Sequence, residues 1–234
     1  SLDGESGISG VYSGNSGPGG WQSGRGIRNS DGFSNIHPAL NGQGPGGGFG
    51  YEIGKSNGGG SYGGMGTGGL NGGVPGVTYG DDSITHLLGG SGGGHSIVGS
   101  GNSGGGGGAI SFKVNGSFDL GTNGVISVRG GAGQSDSDAS GAGGSGGAIR
   151  IEATSINNGG VLDARGGDAL GASSLAGAGG GGRISLLAPG SVTQGLVLLD
   201  GGENKSQVFS DYKQSELVGH WKLDDNQSSS VALN

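Results

Sequence analysis

The sequence has 234 residues, of which 67 are glycine and none is cysteine, and its formal net charge is −7. An acidic chain cannot neutralise a run of phosphates, so we exclude nucleic acid as a partner. No stretch of 18 apolar residues is present, so the sequence predicts no membrane span. No signal peptide is visible, and the chain begins Ser-Leu-Asp rather than Met. We therefore expect a fragment or a processed product of a secreted protein.

Residues 1–108 form a first, glycine-rich region that we predict to be irregular or polyproline-II-like. Each ordered glycine loses more backbone freedom than any other residue, so an ordered form needs dense hydrogen bonding, burial or packing against neighbouring copies. Isolated aromatic residues between the glycine runs are expected to be local packing anchors: Tyr12, Trp21, Phe33, Phe49, Tyr51, Tyr62 and Tyr79.

Repeated blocks fill residues 109–202, where the aliphatic residues are densest. Three copies each contain a first, a middle and a last block, and equivalent blocks are offset by 35 to 39 residues. The first blocks are Ala109–Val114, Ala148–Ala153 and Arg183–Ala188; the middle blocks are Ser117–Phe118, Ser155–Ile156 and Ser191–Val192; the last blocks are Val125–Gly131, Val161–Gly167 and Leu196–Gly202. Such a unit cannot bury its apolar face alone, so the copies are expected to stack.

Apolar and polar residues alternate within the first blocks, and this period of two predicts half-buried β-strands. Asn-Gly pairs separate the strands, and we expect them to supply the positive φ of tight turns; the pairs are Asn115-Gly116, Asn123-Gly124 and Asn158-Gly159. Stacking predicts three sets of side-by-side residues: Ile110 with Ile149 and Ile184, Phe112 with Ile151 and Leu186, and Lys113 with Glu152, an exposed pair contributing at most ~0.5 kcal/mol.

The glycine tracts 130–147 and 166–182 leave two interpretations open, flexible loops or ordered polyproline-II strands packed side by side. Their nearly constant length favours order. The predicted fold class is all-β: a short parallel β-solenoid, β-helix-like, with long glycine-rich loop or polyproline-II segments and little or no α-helix. The three regions are residues 1–108, the repeats at 109–202, and a linker with one strand at 203–234.

Five stretches share a recognisable glycine-rich repeat pattern, namely Thr78–Asp82, Leu87–Gly94, Gly146–Ile151, Ala164–Gly167 and Gly179–Ile184. Through them the segment from Gly76 to Gly202 resembles the glycine-rich repeat regions of very large secreted and cell-surface proteins. The resemblance implies an extracellular or cell-surface location and no catalytic motif.

The tail carries a second resemblance, in Leu217–Asp225 and Ser228–Ala232. These residues look like the opening strand of a laminin-G/concanavalin-like domain, whose remaining strands the chain does not contain. Such domains bind glycans or proteins, but the strands that form the binding face are missing here. We expect an isolated first strand to be an exposed edge that accepts a partner.

Candidate sites for catalysis and cofactors are weak. Gly141–Gly146 and Gly177–Gly182 fit the dinucleotide pattern G-x-G-x-x-G, but the pattern requires a strand before it and a helix after it, so we reject nucleotide binding. No zinc spacing is found, and no acids lie at fixed positions on adjacent copies, so we expect no enzyme and no cofactor. Carboxylate pairs that could bind calcium are read as solvated turn residues: Asp81-Asp82, Asp136/Asp138 and Asp224-Asp225. The histidines His37, His86, His95 and His220 lie in unrelated contexts.

Three N-x-S sequons are glycosylation candidates: Asn115, Asn204 and Asn226. Asn115 is equally well explained as a turn residue. Exposed Ser and Thr residues could carry O-glycans.

The sequence therefore predicts a structural protein, the subunit of an extracellular fibre, filament or surface appendage. We expect it to form a homopolymer by subunit packing, including by strand donation from the tail. The alternative is an adhesin or glycan-binding surface protein in which this segment is the stalk.

Overall fold

The computed structural model describes residues 1–6, 14–24, 41–50, 57–69, 72–95, 102–136, 139–170, 176–205, 219–224 and 228–233. These residues contain β-strands and extended segments but no helix. The all-β prediction is confirmed for this part of the chain.

Fifteen strands lie in the described residues, all of them after residue 108. Three longer strands come from the first blocks of the three copies: β1 (Ala109–Lys113), β6 (Ala148–Glu152) and β10 (Arg183–Ala188). The middle and last blocks form β2 (Ser117–Leu120), β3 (Val125–Ser127), β7 (Ser155–Asn158), β8 (Val161–Asp163), β11 (Val192–Thr193) and β12 (Leu196–Leu198). The others are β4 (Ser135–Asp136), β5 (Ala139–Ser140), β9 (Ala169–Leu170), β13 (Asn204–Lys205), β14 (Gly219–Asp224) and β15 (Ser228–Leu233).

We call β1–β3 repeat 1, β6–β8 repeat 2, and β10–β12 repeat 3. Equivalent strands of the repeats pair in parallel and form three sheets. Sheet A has the order β1-β6-β10-β15-β14, sheet B has β2-β7-β11, and sheet C has β3-β8-β12. Repeat 2 therefore lies between repeats 1 and 3 in all three sheets.

The register agrees with the alignment of the repeats. Ile149 is the partner of Ile110 on one side and of Ile184 on the other, and the next apolar row runs Phe112, Ile151, Leu186. The predicted ion pair is also present, with Lys113 Nζ 3.3 Å from Glu152 Oε1. Periodic apolar residues were therefore sufficient to predict which strands pair and in which register.

Inward-facing aliphatic side chains from the three sheets form one core. Ile149, Ile151 and Leu162 of repeat 2, which has a repeat on each side, have no exposed surface, and neither do Ile184 and Leu186 of repeat 3, where β15 covers β10. Burying side chains of this size contributes about 1.5–3 kcal/mol each. The core thus depends on having neighbours along the direction of stacking.

The corners between strands differ from the prediction in one respect. Turns and bends do occur near the Asn-Gly pairs, as where the Gly124 N–H donates to the Gly121 carbonyl at 2.7 Å. None of the three glycines has a φ in the left-handed region, so the expected positive φ is wrong. A chain that passes from one parallel sheet to the next changes direction gradually and does not need the reversal of a hairpin turn.

The glycine-rich segments form a hydrogen-bonded assembly that we call the glycine bundle. Its extended segments lie within residues 1–6, 14–24, 41–50, 57–69, 72–95, 102–108, 129–134, 141–147, 164–168, 176–182 and 199–203. The two glycine tracts between repeats belong to it, so their described parts are ordered rather than flexible. Segments of the first region also belong to it and bond directly to these tracts.

Segment 141–147 illustrates how a bundle segment is bonded. Successive N–H groups donate to three different neighbouring segments, and residues three positions apart donate to the same one. The donors and acceptors are Ala142 to Gly94, Gly143 to Gly177, Gly144 to Gly131, Ser145 to Ser91, Gly146 to Gly180, and Gly147 to Val128. Three residues per turn is also the period of a polyproline-II helix.

Glycine is required in the bundle because the backbones are in contact. A Cβ built on Gly144 would lie 2.2 Å from the Gly105 carbonyl oxygen, and one on Gly179 would lie 1.9 Å from that of Gly144. Where a segment lies at the surface, only every third residue is buried, as Gly73 and Gly76 are with exposed Val74 between them. The glycine content of a segment thus follows from how many of its sides are covered by neighbouring segments.

Residues 1–6 occupy a position equivalent to the ends of the three repeats. The Leu2 and Gly4 N–H groups donate to Ser127 and Arg129 of repeat 1. The bonds from Val128 and Gly130 to Asp163 and Arg165, and from Ala164 and Gly166 to Leu198 and Asp200, follow the same pattern. The segment therefore adds a fourth member to the row on the side of repeat 1.

The tail forms an antiparallel hairpin that extends sheet A. β15 pairs antiparallel with β10, and β14 pairs antiparallel with β15. The predicted first strand of a laminin-G-like domain, β14, is therefore the outer strand of this sheet, and its inner neighbour is a second strand of the tail.

Candidate interaction surfaces

Repeat 1 ends in a layer of incompletely buried apolar side chains. Phe112 and Phe118 pack against each other with ring centroids 5.3 Å apart, and both remain partly exposed. The other members at this end are Ile110, Val114, Leu120 and Ile126. Stacked repeats ordinarily need a polar terminal cap for solubility, so an apolar end is a candidate interface.

The outer edge of β1 offers backbone groups to this surface. The Val114 N–H donates to Glu152 and the Gly108 carbonyl accepts from Ala148, so even-numbered residues of the strand face repeat 2. Neighbouring residues of a strand direct their backbone groups to opposite sides, so Ser111 and Lys113 face outward. An exposed edge of this kind is a template for pairing with another strand.

The far end of sheet A is the second strand edge. Among the described residues β14 pairs with β15 alone, so its other side is open. In sheets B and C of repeat 3, the apolar residues Val192 and Val197 are partly buried, like their equivalents in repeat 1. Both ends of the repeat stack therefore combine open strand edges with partly exposed apolar residues.

A short apolar row also runs across the outer face of sheet C. Val125, Val161 and Leu196 are consecutive partners there, and Val125 and Leu196 are 62% and 54% exposed. The row follows the direction in which the repeats stack.

A shallow open groove of about 480 Å³ lies along the outer face of sheet A and the adjoining corners. Its polar lining comes mainly from Lys113, Asn115, Arg150, Glu152 and Thr154. Glu152 is 3.3 Å from Lys113 and 3.2 Å from Arg150. Two cations therefore share one carboxylate, which leaves the groove with a single excess positive charge, and Lys113 is largely exposed to solvent.

A buried arginine joins the repeats to the first region. Arg183, 6% exposed, lies at the start of β10 and pairs with Asp82 at 2.7 Å. Its guanidinium also donates to the Tyr79 carbonyl and lies 5.5 Å from the centre of the Tyr62 ring. Burial raises the pKa of Tyr62 to about 12, although nearby Arg183 opposes the shift. Burial also raises the pKa of Tyr79. This cluster therefore anchors the start of β10 to residues 79–82 of the first region.

Asp3 holds the N-terminal segment against repeat 1. Burial disfavours its ionised form, but hydrogen bonds from Ser1, Ser127 and the Arg129 N–H outweigh this and lower its pKa. The repeat pattern did not predict the position of this segment. The available signal was the similarity of Leu2-Asp3-Gly4-Glu5 to Leu199-Asp200-Gly201-Gly202-Glu203.

The predicted glycosylation candidates lie in different places. Asn115 is exposed at the corner between β1 and β2, beside the groove. Asn204 lies in β13 and pairs with Ala169. Asn226 lies outside the described residues. Of the three, the structure thus gives an accessible side chain for Asn115.

The carboxylate pair Asp81-Asp82 is divided between two roles. Asp81 accepts hydrogen bonds from Ser83 and Thr85, the latter lowering its pKa most, whereas Asp82 binds Arg183. Asp136 and Asp224 lie in β4 and β14, and Asp138 and Asp225 lie outside the described residues. In the described part of the chain no three His, Cys, Asp or Glu side chains form a group that could hold a metal ion.

The remaining sequence candidates lie apart. Gly141–Gly146 and Gly177–Gly182 are bundle segments that lead into β6 and β10, so strands follow them, as expected. His86 is exposed, His95 is buried, His220 lies in β14, and His37 falls outside the described ranges. The part of the chain that the structure covers has no apolar helix of membrane-spanning length.

No protein-family model matches the chain, and neither a curated protein nor a solved structure matches it.

Proposed function

We propose that this chain is a non-enzymatic structural subunit of an extracellular fibre, filament or surface appendage, built by packing of identical copies. The observation that carries the proposal is the contrast between the middle of the repeat stack and its repeat 1 end. Ile149, Ile151 and Leu162 of repeat 2 are completely buried, whereas their equivalents in repeat 1 are partly exposed. A further copy packed against repeat 1 would cover part of this layer.

We also propose that the three repeats are turns of a short parallel β-solenoid, with glycine segments in the polyproline-II conformation beside it. The parallel pairing of three strands per repeat supports the first statement. The three-residue period of the hydrogen bonds supports the second. Both arrangements repeat along one direction, which suits a subunit that assembles end to end.

The experiment is sedimentation velocity over a wide range of protein concentration, combined with negative-stain electron microscopy. We expect species that grow with concentration and appear as thin linear particles. A protein that remains monomeric at every concentration would contradict the proposal.

A further inference from the structure

We propose that copies join through sheet A, with β14 of one molecule pairing in parallel with β1 of the next. This inference rests on the proposed self-assembly and names its interface and its repeat distance. The partner is a second copy, because the contact continues the strand pairing that already holds the repeats together.

The strand directions are suitable for this contact. β1, β6 and β10 are mutually parallel, β15 is antiparallel to β10, and β14 is antiparallel to β15. β14 and β1 therefore run in the same direction at opposite edges of the sheet. A second copy shifted along the stacking direction places its β1 parallel to β14 without a change of orientation.

The register continues an apolar row through the hairpin. Leu186 is the partner of Val231, and Val231 is the partner of Trp221. The row therefore runs Phe112, Ile151, Leu186, Val231, Trp221. The next member would be Phe112 of the second copy, one of the partly exposed residues at the end of repeat 1.

The Ala109 N–H on the outer edge of β1 already donates to Pro18. The continued register starts β14 opposite Ile110, so the proposed contact uses the open part of the edge at Ser111 and Lys113. β15 and β14 lie one and two strand positions beyond repeat 3, whereas residues 1–6 lie one position before repeat 1, next to sheet C. When β14 takes the position before β1 of the second copy, it shares that level with residues 1–6 of that copy, but in a different sheet. For repeat 3 to contact repeat 1 of the next copy directly, the β14–β15 hairpin and residues 1–6 would both have to be displaced.

The arrangement fixes the spacing of the polymer. Sheet A contributes five strands per molecule. With neighbouring strands about 4.8 Å apart, each copy advances the polymer by about 24 Å. Direct contact of repeat 3 with repeat 1 would use three strands per molecule and give about 14 Å.

The test is a pair of cysteines in the full chain, Lys113→Cys with Lys222→Cys, made possible because the protein has no cysteine of its own. The continued register makes these residues partners across the proposed contact, with Cα atoms about 4.8 Å apart, within disulfide range. Within one molecule they are four strand positions apart, about 19 Å, and cannot bond. The matched control is Ser117→Cys with Lys222→Cys, since Ser117 lies on the same end but in sheet B.

We expect a ladder of covalent oligomers from the first variant on non-reducing gels, no ladder from the control, and an axial rise of about 24 Å in micrographs of assembled protein. Equal cross-linking of both variants, or assemblies of normal length without the 113–222 bond, would overturn the proposed interface and leave self-assembly standing. If neither wild type nor the variants, checked for native β-structure by circular dichroism, associate at any concentration, self-assembly itself is contradicted.

Discussion

At the scale of single residues, what distinguishes this protein is the absence of side chains where they would obstruct backbone contacts. Gly144 donates its N–H to the Gly131 carbonyl, while its Cα faces the Gly105 carbonyl too closely for a Cβ. Gly121, at an exposed corner, has nothing within 4 Å of the equivalent position. Two identical residues therefore have opposite tolerance to substitution.

Gly144→Ala is expected to reduce the free energy of unfolding by about 3 kcal/mol or more, because the contacted atoms are backbone atoms that cannot move aside independently. Gly121→Ala is the control. We expect it to be neutral or to stabilise by up to about 1 kcal/mol, since alanine restricts the unfolded chain and fits a φ outside the left-handed region. Chemical denaturation of both variants measures the difference, and similar losses from both would contradict the close packing.

The buried Tyr62 predicts loss of stability in alkali. Its pKa is about 12 in the fold and about 10 when unfolded, so above pH 10 the unfolded chain releases a proton that the folded chain retains. Stability is then lost progressively between pH 10 and pH 12, by about 2 kcal/mol from this residue. Tyr62→Phe should lose less stability over that pH range, because it lacks the titrating hydroxyl but keeps the ring contact with Tyr79. The raised pKa of Tyr79 affects both proteins, so the difference between them reports on Tyr62. Thermal melts at several pH values test this, and identical slopes for both proteins would refute it.

At the scale of strands and segments, sequence patterns predict the repeats well and the bundle poorly. Alternating residues in Ala109–Val114 and its equivalents identify a strand, a face and a register together, because a slip by one residue would turn Ile149 outward. The glycine tracts carry no such contrast. Their order could be predicted from their constant length, but Gly143 and Gly146 are chemically identical to their neighbours, so the choice of bonding partner depends on the assembled fold.

The short strands and the positions of the two chain ends also could not be predicted from local sequence patterns. β9 and β13 have two residues each, too few to show alternation. The N-terminal segment shares only a few residues with the ends of the repeats. At the candidate interface, the first strand of the tail, β14, was expected to be an open edge. No local sequence pattern indicated that β15 would lie between β14 and β10.

A proline substituted at the outer edge of β1 tests strand pairing between copies without disturbing the fold of one copy. Ser111→Pro removes an N–H that faces away from repeat 2, so the strand should remain folded, as prolines on sheet edges do. We expect the association constant to fall at least tenfold, because the proposed contact loses a backbone bond and gains a clash. Asp119→Pro makes the same change on the outer edge of β2, where no contact is proposed, and should leave association unchanged. Sedimentation with melting temperatures as a folding control decides between them; equal association by both variants would count against β1.

At the scale of the whole molecule, charge opposes association. Each copy carries a formal net charge of −7, and the continued register sets Lys222 beside Lys113 of the next copy. Like charges at opposed positions destabilise strand pairing, and salt screens them. Assembly should therefore strengthen as ionic strength rises.

Lys222→Glu replaces the local repulsion with an attraction to Lys113, and we expect about a threefold gain in the association constant at low salt, the range of an exposed pair. Lys205→Glu changes the net charge equally but lies in β13, outside the contact. It should weaken association slightly through added overall repulsion. Light scattering at low and high salt provides the comparison. A gain in both variants, or in neither, would contradict the assigned register.

The three-residue hydrogen-bond period of the glycine bundle restricts how the length of its segments can change. Adding one residue to segment 141–147 would rotate every following donor by about 120°, towards the wrong neighbour. Adding three would restore each donor to its direction and lengthen the segment by about 9 Å. Insertions and deletions in these tracts should therefore be tolerated only in multiples of three residues, because only these keep every later N–H directed at its own neighbouring segment.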